Sequence, residues 1–143
     1  MKYFYIALCI LFLFSCERKT EFFTSSPSGN LILIKNSPND DIILKKIIKN
    51  FIAKNYNKYK PHITYFSFYR YNNNTKYFLK NREDLGWFSS EDLNDYPEDE
   101  IANFIINKCK NDTTKKVGFF IFYGIRGSEK SEIIKDTIIY NCK

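Results

Sequence analysis

The sequence predicts an α+β fold, with one N-terminal amphipathic helix packed on a mostly antiparallel sheet of five or six strands. Three observations predict this class. Apolar residues recur early at helical spacing, runs rich in β-branched and aromatic residues follow, and turn residues separate those runs. The helix and the sheet are expected to form two layers, because neither can bury its apolar side chains alone.

The first predicted strand is the short apolar run at residues 31–34, and the helix follows it. We expect Ser37 to cap the helix, with Pro38 at its first position and Asp40 completing a capping box. The helix is predicted to end near Asn55. Its apolar stripe consists of Ile43, Leu44, Ile47, Ile48, Phe51 and Ile52. A face on the sheet is the preferred interpretation of this stripe, and a face on a membrane surface is the alternative.

The remaining strands are predicted from aromatic and β-branched runs. Residues 62–71 form one such run, and residues 75–80 are expected to return as the second arm of a hairpin after turn residues 72–74. Three more strands are predicted after an acidic connection, at residues 101–109, 117–123 and 137–142. This order of elements resembles the cystatin-like pattern of a helix cradled by a curved antiparallel sheet. A likeness in element order implies no function.

The first fifteen residues have the pattern of an export signal. Lys2 is followed by an apolar run at residues 3–14, which can enter a bilayer because no charge must be desolvated. The run is about a dozen residues long, whereas a membrane-spanning helix needs roughly 20. A charged start, a short apolar middle and a small residue before the break indicate a signal peptide.

Leu13-Phe14-Ser15-Cys16 ends this run. The four residues resemble the lipobox of bacterial lipoprotein precursors, although Phe14 is bulkier than the usual occupant of its position. The resemblance implies cleavage after Ser15, a diacylglycerol on the Cys16 thiol, and fatty acids such as palmitate as the anchor. An ordinary secretory signal with an incidental cysteine is the alternative.

The lipobox resemblance also implies a location and a domain organisation. We expect a lipid-anchored protein of the bacterial cell envelope, at the outer membrane and facing the periplasm or the cell surface. Its composition is similar in style to small Bacteroidota lipoproteins. The expected segments are a signal peptide at 1–15, a lipidated N-terminus and flexible tether at 16–30, and a single domain at 31–143. The expected partners are the membrane and an envelope protein. Nucleic acid is not expected, because the net charge of +6 comes mostly from dispersed lysines.

The chain has four cysteines, of which Cys9 leaves with the signal and Cys16 carries the lipid. Cys109 and Cys142 remain as a natural disulfide pair in an oxidising compartment. Such a bridge closes a loop of about 34 residues and typically contributes about 2–4 kcal/mol. Free buried thiols are the alternative. A zinc site that used His62 with these two cysteines would have three ligands and no short spacing, so no metal or other cofactor is expected.

No cluster of a nucleophile and a base is visible in the sequence. His62, the only histidine, is expected to be a surface residue, and residues 124–128 are expected to be a hairpin loop.

The acidic connection contains Glu91, Asp92, Asp95, Glu98, Asp99 and Glu100. It predicts a solvated loop, with calcium binding or a basic partner as alternatives. We therefore assign no catalytic residue and expect a non-enzymatic binding or structural module. An exported hydrolase that uses dispersed carboxylates is the alternative.

The tyrosines predict a candidate binding surface. Successive residues of a strand face opposite sides, so the tyrosines of residues 65–71 should lie opposite Phe66 and Phe68. Aromatic rings with a polar tip are enriched in binding sites. The predicted binding surface consists of Tyr65, Tyr69, Tyr71 and Trp87. Packing within a sheet that is covered on both sides is the alternative.

Overall fold

A computed structural model describes residues 18–24, 30–55, 65–79, 92–130 and 134–140. Within these ranges, one α-helix packs on a six-stranded mixed sheet, so the predicted α+β class is confirmed. The strands are β1 (Glu21–Thr24), β2 (Leu31–Lys35), β3 (Tyr65–Arg70), β4 (Glu100–Lys108), β5 (Lys116–Phe122) and β6 (Ile134–Tyr140), and the helix is α1 (Asp41–Asn55). Short 3-10 helices are formed by Lys76–Leu79, Asp92–Asp95, Pro97–Asp99 and Ser128–Lys130.

The strands follow one another across the sheet in chain order. β2 and β3 are parallel because α1 crosses over between them, and all other neighbouring strands are antiparallel. The sheet is therefore mostly antiparallel, as predicted. The predicted position of the helix is corrected, because α1 lies between β2 and β3 and not at the N-terminus.

The first strand falls in a segment that the sequence did not assign to the domain. Residues 16–30 are predicted to be a flexible tether, but Glu21–Thr24 form β1 and pair with β2. Phe22 joins the core under α1, whereas Phe23 packs on the opposite face of the sheet. A four-residue strand with two apolar residues is too short for its periodicity to stand out in the sequence.

The helix cap also differs from the prediction. α1 begins at Asp41, and Oδ1 of Asp40 accepts a hydrogen bond from the backbone N–H of Ile43 at 2.9 Å. Asp40 is thus the N-cap, and the cap predicted at Ser37 is wrong, because the turn after β2 delays the first helical residue. Ile43, which was predicted to lie on the apolar stripe, is exposed in the first turn of the helix.

The core lies between α1 and the sheet. Leu44, Ile48 and Ile52 are spaced by one helical turn and are buried, as predicted. The sheet residues that meet them are Ile32, Ile34, Phe66, Phe68, Ala102, Phe104, Ile106, Phe120 and Phe122. Each large side chain that is fully removed from water contributes about 1.5–3 kcal/mol of transfer free energy.

The hairpin predicted after β3 is absent from the described residues. Lys76–Leu79 form a 3-10 helix, and the sheet neighbour of β3 is β4. Oδ1 of Asn72 accepts hydrogen bonds from the backbone N–H groups of Asn74 and Thr75, at 2.9 and 3.1 Å. These bonds hold an asparagine turn that leads into a helical turn and not into a returning strand.

Candidate functional site

The face of the sheet opposite α1 is the candidate binding surface, and we call it the outer face. Alternate residues of β3, β4 and β5 pack under α1, so the residues between them point to the outer face. On these strands it presents Tyr65, Ser67, Tyr69, Asn103, Ile105, Phe119 and Ile121. This surface is largely uncharged, and its polar groups stand among aromatic and aliphatic side chains.

Two exposed aromatic rings lie on neighbouring strands of the outer face. Tyr65 pairs with Ile105, and Ile105 pairs with Phe119 on its other side. Tyr65 is 44% exposed and Phe119 is 39% exposed. Because neighbouring strands are about 4.8 Å apart, the two rings flank Ile105 on backbones about 10 Å apart. We call Tyr65, Ile105 and Phe119 the aromatic row.

A polar cluster lies beside the aromatic row, centred on Asn103. The Nδ2 of Asn103 donates to Oε1 of Glu100 at 2.8 Å and to the hydroxyl of Tyr123 at 3.1 Å. Its Oδ1 is buried and has no hydrogen-bond partner among the described residues. The cluster thus fixes the amide orientation and encloses one carbonyl oxygen that is unpaired among the described residues.

Two tyrosines beside Asn103 are held in their neutral form. Burial is the main cause that raises the pKa of Tyr69 well above its ordinary value, and the negative charge of Glu100 raises it further. Burial also raises the pKa of Tyr123, while its hydrogen bond with Asn103 acts in the opposite direction. Both hydroxyls therefore remain hydrogen-bond donors and acceptors well above neutral pH.

The predicted tyrosine surface is only partly assembled. Tyr65 is exposed, but Tyr69 is buried with Leu31 and Leu33 in a small second core on the outer face. Tyr71 is half-buried at the edge of that core, and Trp87 lies outside the described residues. The structure therefore supports Tyr65 as a surface residue and gives Tyr69 a packing role.

Sequence reasoning missed Phe119 and Asn103. Residues 117–122 are almost continuously apolar, so the alternation that turns Phe119 outward is invisible in the sequence. Asn103 could have been found, because it is the one polar residue within the apolar middle of β4. A lone amide in such a run indicates an outward position or a specific hydrogen-bonding role.

The acidic connection is a set of short 3-10 turns in its described part, residues 92–100. Asp99 is only 4% exposed and accepts a hydrogen bond from Nδ2 of Asn72 at 2.6 Å. Glu100 accepts a hydrogen bond from Nδ2 of Asn103. These adjacent carboxylates thus engage different side chains, and nothing in their geometry favours the hydrolase alternative.

Among the residues that the structure describes, no three His, Cys, Asp or Glu side chains form a metal-binding group. His62 and Glu91 lie outside the described residues.

The loop at residues 124–128 has a structural role. Oδ1 of Asp41, the first residue of α1, accepts a hydrogen bond from the backbone N–H of Ile125 at 2.8 Å. Arg70 donates from Nη2 to the carbonyl of Ile125. Ser128 donates to the carbonyl of Pro97 at 3.1 Å. The loop therefore joins α1, β3 and the acidic connection.

Cys109 lies at the end of β4 and is 2% exposed. It takes part in a disulfide bond, and its backbone N–H donates to the carbonyl of Lys115 at 3.0 Å. Cys16 and Cys142 lie outside the described residues, so the lipid site and the pairing with Cys142 remain predictions.

Comparison with known proteins returns no match to a protein-family model, to a curated protein or to a solved structure. In the described ranges, no helix has both the length and the apolar character needed to span a bilayer.

Proposed function

We propose that this protein is a lipid-anchored module of the bacterial cell envelope that binds a partner protein through the outer face of its sheet. The observation that carries the binding proposal is the aromatic row, where Tyr65 and Phe119 remain exposed on either side of Ile105. Aromatic residues are enriched at the centres of protein interfaces, and lysine and glutamate are depleted there. The row matches that composition.

The polar cluster supports a protein partner. Glu100 and Tyr123 hold the side-chain amide of Asn103, so the cluster presents hydrogen-bonding groups in fixed positions beside the aromatic row. Ser67 and Ile121 pair with Asn103 from both sides and extend the same mixed surface. An interface of this kind combines apolar area with a few fixed hydrogen bonds.

Site-specific photo-crosslinking in the native host tests the binding proposal. Two variants would carry p-benzoylphenylalanine, one in place of Phe119 and one in place of Tyr65. Both should give a crosslinked adduct, and the two adducts should have the same mass. The same probe in place of Asn50, which is exposed on α1, should not give this adduct. Phe119→Ser should abolish the adduct obtained from position 65. Adducts that are equal at all three positions, or absent from both outer-face positions, contradict the proposal.

The lipid anchor is proposed at Cys16, with attachment at the outer membrane, from the lipobox-like residues 13–16. Two or three acyl chains hold a protein stably on a bilayer, whereas one chain holds it only marginally. Metabolic labelling with an alkyne analogue of palmitate should label the full chain and should not label Cys16→Ser. Labelling of Cys16→Ser would contradict this site.

The partner of Cys109 is proposed to be Cys142. Ile106 of β4 and Tyr140 of β6 both pair with Gly118 of β5, and β4 and β6 run in the same direction. Cys109 and Cys142 come shortly after these residues in the sequence, so the two strands that lead to them finish at the same end of the sheet. Peptide mapping without reduction should recover the Cys109–Cys142 peptide pair. A different partner for Cys109 would contradict the pairing.

A further inference from the structure

Hydrogen bonds join the chain to the rest of the domain at Lys19 and Thr20, a few residues after the proposed lipid site. Nδ2 of Asn36 donates to the carbonyl of Lys19 at 3.1 Å, and the hydroxyl of Thr20 donates to the carbonyl of Asn36 at 3.0 Å. β1 then begins at Glu21, opposite Lys35 at the end of β2. We call this pair of hydrogen bonds the Asn36 clamp.

The clamp limits how far the domain can be from a lipid on Cys16. Lys19 is three residue steps from Cys16, and an extended chain spans at most about 3.6 Å per step, which gives a reach of about 11 Å. A free segment over residues 16–30 would instead reach about 50 Å. The headgroup region of a bilayer is roughly 5–8 Å thick on each side. The clamped end of the domain therefore stays within about 11 Å of Cys16, close to the headgroups, whereas a free segment would let it move far from them.

The same end of the domain carries the two most exposed large apolar side chains among the described residues. Ile42 is 80% exposed and Ile43 is 52% exposed, both in the first turn of α1. Four residues, 37–40, join Asn36 of the clamp to the start of α1. Neighbouring exposed isoleucines are unfavourable in water, and burial in the apolar edge of a bilayer removes that penalty.

We propose that the N-terminal turn of α1 docks on the bilayer that holds Cys16, with Ile42 and Ile43 inserted at the headgroup boundary. This inference rests on the proposed lipid anchor and adds an orientation to it. The anchor and the isoleucine pair make two membrane contacts on one side of the domain, and together they fix its tilt in a way that a single flexible anchor cannot.

Exposed charges of both signs surround the docking turn. Exposed cations, Arg18, Lys19 and Lys46, and exposed anions, Glu21, Asp40 and Asp41, lie on the same chain segments. Charge therefore contributes little to this orientation, and the apolar side chains of Ile42 and Ile43 provide the membrane contact.

The docked orientation leaves the aromatic row accessible. Tyr65 begins β3, and the strand runs from there towards the clamped end of the sheet. Tyr65 therefore lies about 13 Å farther from the bilayer than Tyr69, which is four residues along the strand. A partner protein can reach the row without displacing lipid.

Depth-dependent quenching tests the inference on the full, lipidated chain. A fluorescent amino acid would replace Ile42, Ile43 or, as the matched control, Ala53, which is exposed near the other end of the same helix. The protein would be reconstituted in vesicles of phosphatidylethanolamine and phosphatidylglycerol that carry a doxyl-labelled phosphatidylcholine. We expect strong quenching at positions 42 and 43 and at least roughly threefold less at position 53, which lies about 16 Å away along the helix.

A second variant separates the inference from the anchor. A flexible Gly/Ser insertion between Cys16 and Arg18 should lower quenching at position 42 while palmitate labelling is retained, because the effective concentration of the bilayer falls as the linker lengthens. Palmitate labelling without quenching at position 42, or equal quenching at positions 42 and 53, overturns the docking and leaves the anchor intact. Loss of palmitate labelling from the wild-type chain overturns the anchor and the docking together.

Discussion

Phe22 of β1 stacks on Phe51 of α1, with ring centroids 4.3 Å apart and an angle of 16° between the ring planes. Phe51 also meets Phe68 of β3 edge-on, at a centroid distance of 6.1 Å. The first strand therefore extends the core by one ring and covers the side of α1 next to β2. Stacked aromatic pairs contribute about 0.5–1.5 kcal/mol beyond the area they bury.

Phe22→Ala should lower the free energy of unfolding by about 1–3 kcal/mol, because a half-buried ring and its stacking partner are lost. Thr24→Ala, at an exposed position of the same strand, should change it by less than about 0.5 kcal/mol. Urea denaturation of the two variants measures the difference. Equal midpoints would show that β1 behaves as the tether expected from the sequence and contributes nothing to the fold.

The parts of the fold that could be predicted are those with a long repeating pattern. Leu44, Ile48 and Ile52 reveal the helix because two successive turns repeat one spacing, and β3 and β4 are visible as extended aromatic or β-branched runs. β1 could not be predicted, because two phenylalanines between polar residues have no period. Its existence depends on pairing with β2 and on the ring of Phe51, which are tertiary contacts.

The candidate site was predictable only in part, for a related reason. The alternation in β3 correctly placed Tyr65 opposite Phe66, but it could not show that Leu31 and Leu33 of β2 would bury Tyr69 on the same face. Parallel pairing of β2 with β3 creates that contact, and the sequence pattern does not encode strand neighbours.

Asn36 should be sensitive to alanine. Its φ of 53° lies in the left-handed region, which asparagine and glycine tolerate better than alanine, and its side chain holds Lys19. Asn36→Ala should destabilise the fold by about 1–2 kcal/mol, and Asn36→Gly should cost less than about 1 kcal/mol because only the hydrogen bond is lost. Thermal unfolding with Asn50→Ala as an exposed control measures this order. A glycine variant as unstable as the alanine variant would show that backbone strain plays no part.

Gly127 and Gly124 should differ in their response to alanine. Both have positive φ, of 78° and 87°, but a Cβ on Gly127 would lie 2.4 Å from the carbonyl oxygen of Glu98, which is backbone. A Cβ on Gly124 would lie 2.8 Å from Oδ1 of Asp41, which is a side chain that can rotate. Gly127→Ala should therefore cost about 3 kcal/mol or more, and Gly124→Ala about 1–2 kcal/mol.

A double-mutant cycle separates the two causes at Gly124. In an Asp41→Ala background the clash is gone, so Gly124→Ala should be less costly than in the wild type, while the cost of Gly127→Ala should not change. Chemical denaturation of the six proteins gives both differences. If the cost of Gly124→Ala is the same in both backgrounds, the contact with Asp41 does not contribute to the loss of stability caused by Gly124→Ala.

Tyr69 should make the fold sensitive to alkaline pH. Burial raises its pKa in the folded protein, so the unfolded chain loses the phenolic proton first, near pH 10. The stability that neutral Tyr69 contributes is complete below that pH and falls as the pH rises towards the folded pKa. Tyr69→Phe removes this titration, so the free energy of unfolding of the variant should fall less steeply between about pH 10 and 12. Urea denaturation across this range, with Tyr123→Phe as a second variant expected to reduce the slope in the same direction, measures the effect. Parallel pH profiles for the wild type and Tyr69→Phe would show that the buried hydroxyl is not held neutral by the fold.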